Sequence, residues 1–269
     1  MSKVFRDVMV DMLTHIEPFK DSISNLLMKK NTDGTITAVA KARDGNIALR
    51  IESKHEIPEF DHIACFGSLP YLRSILKSAY FSGKSKSSQG MSMDMEFDVS
   101  SNGKTTALRS IQFSTKSGRF EAFYQATDPF VNNLNKVKLP AIEDWDADFT
   151  IGQDEIKDFS EILKIHKTAP KIGGDRDDIF RLTIDDGIVQ STFGDKGHHS
   201  SVLLASNVNI ETDTSGINSL FAVSKIEAMF KLVGKGEALC SVAKRAFRVQ
   251  LETAWCTYSI VTTAKKLGI

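Results

Sequence analysis

The sequence predicts an α+β protein made by tandem duplication, each half carrying two helices packed on antiparallel sheets. Three observations lead there. Apolar residues switch repeatedly between the 3.6 period of helices and the period of two of half-buried strands, with Gly, Asn and Asp turns between. The order helix, strands, second helix, strands occurs twice: Phe5 and Ile156 open matching helices 151 residues apart, and Leu69 and Val223 open the other pair 154 apart. Neither half carries a recognisable catalytic motif.

The first helix, near Phe5–Ile16, places Phe5, Val8, Met9, Met12, Leu13 and Ile16 on one stripe, and Pro18 ends it. Turns at Asn31-Thr32-Asp33-Gly34 and Asp44-Gly45-Asn46 cut the strands that follow, where Ile36, Ala38, Ala40 and Ala42 alternate with polar residues and Ile47, Leu49 and Ile51 repeat the pattern. The second helix, near Leu69–Ala79, has Leu69, Leu72, Ile75, Leu76 and Ala79 inward, Ser68 as N-cap and Pro70 at an early position. After the polar loop Gly83–Gly90, the alternation of Met91, Met93, Met95, Phe97 and Val99 with polar residues predicts a half-buried strand. Strands near Leu108–Ser114 and Arg119–Gln125 close the first half.

From 127 to 146 the periodicity disappears. Pro129, Pro140, three asparagines and Glu143-Asp144-Trp145-Asp146 make this an extended connector between domains at 1–126 and 147–269. The second half opens with acid at the start of a helix near Ile156–His166, which suits the helix dipole. Strands are expected near Ile179–Ile184, Ile188–Phe193 and Ser200–Ile210. A fourth helix, Val223–Val233, stops at Gly234, and strands near Glu237–Val242, Ala246–Glu252 and Thr257–Thr263 finish the chain.

Composition excludes several classes. With 41% hydrophobic and 25% charged residues, the chain has an ordinary soluble make-up. No apolar run approaches the roughly 18–20 residues of a membrane span, and the N-terminus lacks the pattern of a signal peptide, so a cytoplasmic location is expected. Cys65, Cys240 and Cys256 are odd in number, far apart and in apolar stretches, which predicts buried free thiols.

Motifs for chemistry fail on inspection. Gly83-Lys84-Ser85 lacks the upstream glycine of a phosphate loop, since position 78 is Ser78. His198-His199 beside Asp195 reads as a solvated turn rather than a metal site, and Asp175, Asp177 and Asp178 lack the alternation of a calcium loop. No catalytic residue, cofactor or metal is expected.

The order of elements resembles the sliding clamps, the ring-shaped processivity factors of DNA polymerases. It is most like the two-domain kind found in tailed phages, archaea and eukaryotes, and among these a tailed-phage clamp. The stretches that carry the resemblance are Phe120–Pro129 (FEAFYQATDP), Asp148–Leu163 (DFTIGQDEIKDFSEIL) and Leu220–Gly234 (LFAVSKIEAMFKLVG). It implies six domains closing a ring with helices inside and sheets outside, hence a homotrimer. The implied partners are duplex DNA contacted without regard to sequence, a DNA polymerase and a clamp loader, with no catalysis. Clamps are often acidic overall, whereas 34 basic and 34 acidic residues make this chain neutral.

Encircling DNA without gripping it calls for basic residues that make mobile phosphate contacts. On the second helix Arg73 and Lys77 share a face, followed by Lys84 and Lys86; residues 68–86 hold no acid. On the fourth, Lys231 and Lys235 share a polar face near Lys225, against one acid, Glu227. The third helix is net acidic over residues 153–167, though Lys157 and Lys164 share a face. The resemblance further implies edge strands joining subunits near Arg119–Tyr124 and Ser200–Val208, with Phe120, Phe123, Val202 and Leu204 as contacts. It also implies a partner-peptide pocket, for which exposed Leu139, Ile142 and Trp145 in the connector and Tyr258 and Ile260 on the last strand are candidates. A structural assembly protein of duplicated α+β units is the second reading.

Overall fold

The computed structural model describes residues 3–60, 63–78, 92–99, 106–115, 118–123, 145–168, 179–194, 200–206, 208, 217–234 and 236–264. The chain divides into two compact units, Met1–Leu139 with Glu252–Tyr258, and Pro140–Leu251 with Ser259–Ile269. The architecture is α+β: four α-helices among the described residues and large sheets whose described registers are all antiparallel.

In the first unit, α1 (Lys3–Ile16) buries the whole predicted stripe from Phe5 to Ile16. Pro18 falls in a single 3-10 turn, Glu17–Phe19, where its missing N–H costs no helical bond. Strands β1 (Leu26–Lys30), β2 (Ile36–Lys41), β3 (Ile47–Ser53) and β4 (Ile63–Phe66) lie in the order β4-β1-β2-β3. Then come α2 (Leu69–Lys77), β5 (Ser92–Val99), β6 (Thr106–Thr115) and β7 (Gly118–Phe123), the last three forming a sheet in sequence order. Helix α2 buries Leu69, Leu72, Ile75 and Leu76 as expected. Ser68 does stand at its N-cap, but in the left-handed region (φ 47°) and without a side-chain cap bond. The position is the expected one, but a capping hydroxyl needs an extended backbone, which Ser68 lacks.

The segment Glu252–Tyr258 completes this unit. Lys54 donates its backbone N–H to Trp255 O at 2.8 Å, and its ammonium pairs with Glu252 at 2.6 Å. Asp11 Oδ2 on α1 accepts from Thr253 Oγ1 at 2.7 Å and from Tyr258 Oη at 2.8 Å.

The second unit contains β8 (Ala147–Ile151), α3 (Gln153–Thr168), β9 (Ile179–Asp185), β10 (Ile188–Phe193), β11 (Ser200–Ala205), β12 (Ile217–Ala222), α4 (Val223–Val233), β13 (Ala238–Ala243), β14 (Ala246–Glu252) up to Leu251, and β15 (Cys256–Thr263) from Ser259 onward. One sheet runs β11-β10-β9-β12 and the other β15-β14-β13-β8. The β9–β10 turn has Asp186 at φ 47° and Gly187 at φ 71°, the two left-handed residues that a tight two-residue hairpin requires. The core is aromatic: the Phe159 ring lies 4.7 Å from Phe230, 5.2 Å from Phe193 and 5.8 Å from Phe180, centroid to centroid. β12 was not singled out in the sequence because Ala222 passes into α4 without a turn residue or a side-chain cap. β4 escaped for a different reason: Ile63-Ala64-Cys65-Phe66 is a continuous apolar run with no alternation.

All three cysteines are free and buried, as expected. Burial pushes the Cys65 thiol up to about 12 and holds Cys240 and Cys256 well above the ordinary thiol value too, so none is a ready nucleophile. The connector between 127 and 144, the Met91 end of its ladder, His198-His199 and the 175–178 aspartates lie outside the described residues.

Candidate nucleic-acid interface and sheet edges

Helix α3 supplies most of the information. Its buried residues Phe159 and Leu163 fix the inward face. At 3.6 residues per turn, the remaining surface divides into two flanks. Lys157 and Lys164 are exposed on one flank, and Lys167 at the helix end extends it towards α4. Asp154, Asp158, Glu161, Ile162 and Ile165 occupy the other and line a groove of about 480 Å³ against β11. The N-terminal end of the helix is pinned twice. Glu155 Oε2 accepts from the Gly152 N–H at 2.8 Å, half of a capping box, and Gln153 Nε2 donates to Gly234 O at 2.6 Å, occupying a terminal carbonyl of α4.

Between α3 and α4, Glu227 receives two lysines: Lys231 Nζ at 2.8 Å and Lys167 Nζ at 2.9 Å. Burial alone would raise this carboxyl, but the bonds from Lys231 and Lys167 outweigh it and hold the group below its ordinary value of 4.5. In the first unit, Arg73 on α2 is half-buried and ion-paired to Glu17. Lys77, one turn on, is exposed; its ammonium is pushed down by partial burial and by Arg73, with Glu17 opposing. Lys225 is half-buried. Lys84, Lys86 and Lys235 lie outside the described residues.

The two expected edges are sheet edges among the described residues. β7 pairs only with β6 and β11 only with β10, so each leaves one side of its backbone without a ladder partner. On β11 the side chains differ from expectation. Val202 and Leu204 are buried, because they alternate with Leu203, which is 55% exposed. Leu203 and Ile165 (63% exposed) therefore give the α3–β11 groove its apolar surface between acidic residues. Phe120 and Phe123 are placed on β7 by the backbone alone.

The peptide-pocket candidates are also revised. Tyr258 and Ile260 are fully buried, since alternate residues of β15 from Cys256 onward turn inward, so neither offers an exposed surface. Trp145 is half-buried beneath the Arg248 guanidinium, whose carbon lies 4.4 Å from the ring centroid. Arg248 is held there by two bonds to Ser241 Oγ, at 2.7 and 3.2 Å. Leu139 and Ile142 are outside the described residues. No group of His, Cys, Asp and Glu that could hold a metal occurs among the described residues, and no described helix is long and apolar enough to cross a membrane.

No family model matches the chain, and no curated protein matches it in sequence. Solved structures do. The proliferating cellular nuclear antigen of Entamoeba histolytica matches with 96% of each chain covered, 16% identity and a TM-score of 0.59. The PCNA of Thermococcus kodakaraensis matches over 98% of each chain, at 9% identity and a TM-score of 0.63. The PCNA of A. fulgidus, solved with the C-terminal region of FEN-1 bound, matches over 97% of each chain, at 11% identity and a TM-score of 0.61. The chain has the PCNA-like sliding-clamp fold over nearly its whole length.

Proposed function

We propose that this protein is a sliding clamp: three copies close a ring around duplex DNA and tether a DNA polymerase, a clamp loader opens the ring, and the protein performs no chemistry itself. The observation that carries the reading is the clamp fold extending over 96% or more of this chain and of each solved clamp. The helices supply the support expected of a DNA-facing wall. Lys77, Lys157, Lys164 and Lys231 are exposed, and such cations contact phosphate without reading bases. In this reading Lys84, Lys86, Lys225, Lys235 and Arg73 belong to the same wall.

Closure would pair β7 of one copy with β11 of the next, a head-to-tail contact that completes both ladders. Leu203 and Ile165 would be covered in the process, which accounts for two large apolar side chains standing exposed in one groove. Partner peptides would dock beside the connector, where Leu139, Ile142 and Trp145 remain the proposed contacts; that a clamp of this fold binds a partner segment at all is supported by the A. fulgidus PCNA with the C-terminal region of FEN-1 bound.

The test is topological. Protein loaded onto nicked circular DNA should stay bound through a salt wash and be lost once the circle is cut, and its mass should be about three times 29.8 kDa. A monomer at micromolar concentration, or equal retention on linear and circular DNA, rules the reading out. A stable trimer without topological retention favours the structural assembly protein instead.

A further inference from the structure

The basic residues of the helices are not equally available. Lys231 Nζ and Lys167 Nζ converge on one carboxylate from two helices, at 2.8 and 2.9 Å. The carboxylate side chain is 24% exposed and the lysine side chains 63% and 55%, so the acid is the fixed partner and the ammonium groups are the mobile ones. The first unit repeats the arrangement on the corresponding pair of helices with the charges exchanged. There the acid, Glu17, follows the first helix and the cation, Arg73, sits on the second, whereas in the second unit Lys167 ends the first helix and Glu227 sits on the second.

We propose that Glu227 is a built-in counter-ion that competes with DNA phosphate for Lys167 and Lys231, and that Glu17 does the same for Arg73. The inference rests on the clamp reading and adds a control on how firmly the wall holds DNA. An exposed ion pair is weak and exchanges readily, so a phosphate can displace the glutamate, and the glutamate recovers its lysine when the phosphate moves on. A wall of unpaired lysines would release more counterions and hold each phosphate longer. Lys157 and Lys164, with no ion-pair partner among the described residues, are the cations that need no displacement.

The experiment compares wild type with Glu227→Gln for binding to a short duplex by anisotropy across a salt series, alongside retention on circular DNA. The amide keeps the shape of the side chain and removes its charge. The variant should bind more tightly at low salt. Its log–log salt slope should steepen by about 0.9 for each lysine that gains a phosphate, so its advantage over wild type shrinks by about 3- to 4-fold per added contact between 50 and 200 mM. Adding Lys231→Gln and Lys167→Gln should abolish the gain.

Asp185→Asn, which removes one exposed charge at the β9–β10 turn, should leave affinity and slope nearly unchanged. An unchanged or weaker Glu227→Gln, or an equal gain from Asp185→Asn, overturns the proposal while the clamp reading stands on wild-type retention. Wild type without topological retention sinks both. Should Glu227→Gln fail to fold, Lys231→Gln decides: the proposal requires it to weaken binding less than Lys164→Gln does, and the reverse order refutes it.

Discussion

Asp11 shows how one carboxylate can fasten the end of a chain to its beginning. It accepts hydrogen bonds from Tyr258 and Thr253, and Thr253 Oγ1 in turn accepts the backbone N–H groups of Trp255 and Cys256 at 3.1 and 2.9 Å. Tyr258 is wholly buried, and burial, with Cys256 and Asp11 close by, drives its phenol far above the ordinary value. Tyr258→Phe keeps the ring packing and removes one donor from a part-buried carboxylate. It should cost about 1–2 kcal/mol in denaturant unfolding. Phe159→Ala empties the centre of a four-phenylalanine cluster and should cost about 3–5 kcal/mol by the same measurement. Glu227 makes a prediction in pH. Its carboxyl is lowered in the folded chain, so the stability it contributes is complete above the ordinary value of 4.5 and is lost as the pH falls through the lowered one. The stability gap between wild type and Glu227→Gln should therefore be constant near neutrality and close on acidification; a gap that widens in acid would contradict the sign.

At the scale of elements, periodicity located the helices well because their buried faces are unmixed. The fourth helix is found at its expected bounds, Val223–Val233, and the first buries the same six residues. Failures came where a boundary has no local chemistry, as at Ala222, or where burial on both faces removes alternation, as in β4. The third helix shows a subtler loss. The spacing puts Lys157 and Lys164 on one face, but a net acidic sum over residues 153–167 does not separate that lysine flank from an acidic-apolar flank beside it. Only the orientation fixed by Phe159 and Leu163 separates them. The groove side makes its own prediction. Leu203→Asp puts a charge on an exposed edge residue, so the unfolding free energy of the chain should change by no more than about 0.5 kcal/mol. In the proposed ring its sedimentation should nevertheless shift from the wild-type trimer to monomer, and a trimer of unchanged stability would show that β11 is not the joining edge.

For the whole molecule, the fold was readable from sequence and the site only in part. Duplicated order and matching spacing are properties of the chain and survive without coordinates. Which cations are available is a property of partners distant in sequence: Glu17 and Arg73 are 56 positions apart in the numbering, and Lys167 and Glu227 are 60 apart. Tyr258 and Ile260 were misjudged for the same reason, because an alternating strand does not announce which of its faces is covered. Reversing charge at Lys157 and Lys164 together should reduce retention on circular DNA severalfold with the trimer mass unchanged. Full retention would remove α3 from the DNA-facing wall.

The two edges proposed to join subunits are different strands, β7 and β11, and that asymmetry has a consequence for mixtures. In the proposed ring, every incomplete assembly would carry one donor end and one acceptor end, so growth would stop only when the two meet. A subunit disabled at β11 but sound at β7 would act as a chain terminator, accepted at one end and unable to accept at the other. Mixed in equal amount with normal subunits, it would leave only about one in eight three-membered sets free of it. Defective copies equal in number to sound ones would thus disarm far more than half of the rings.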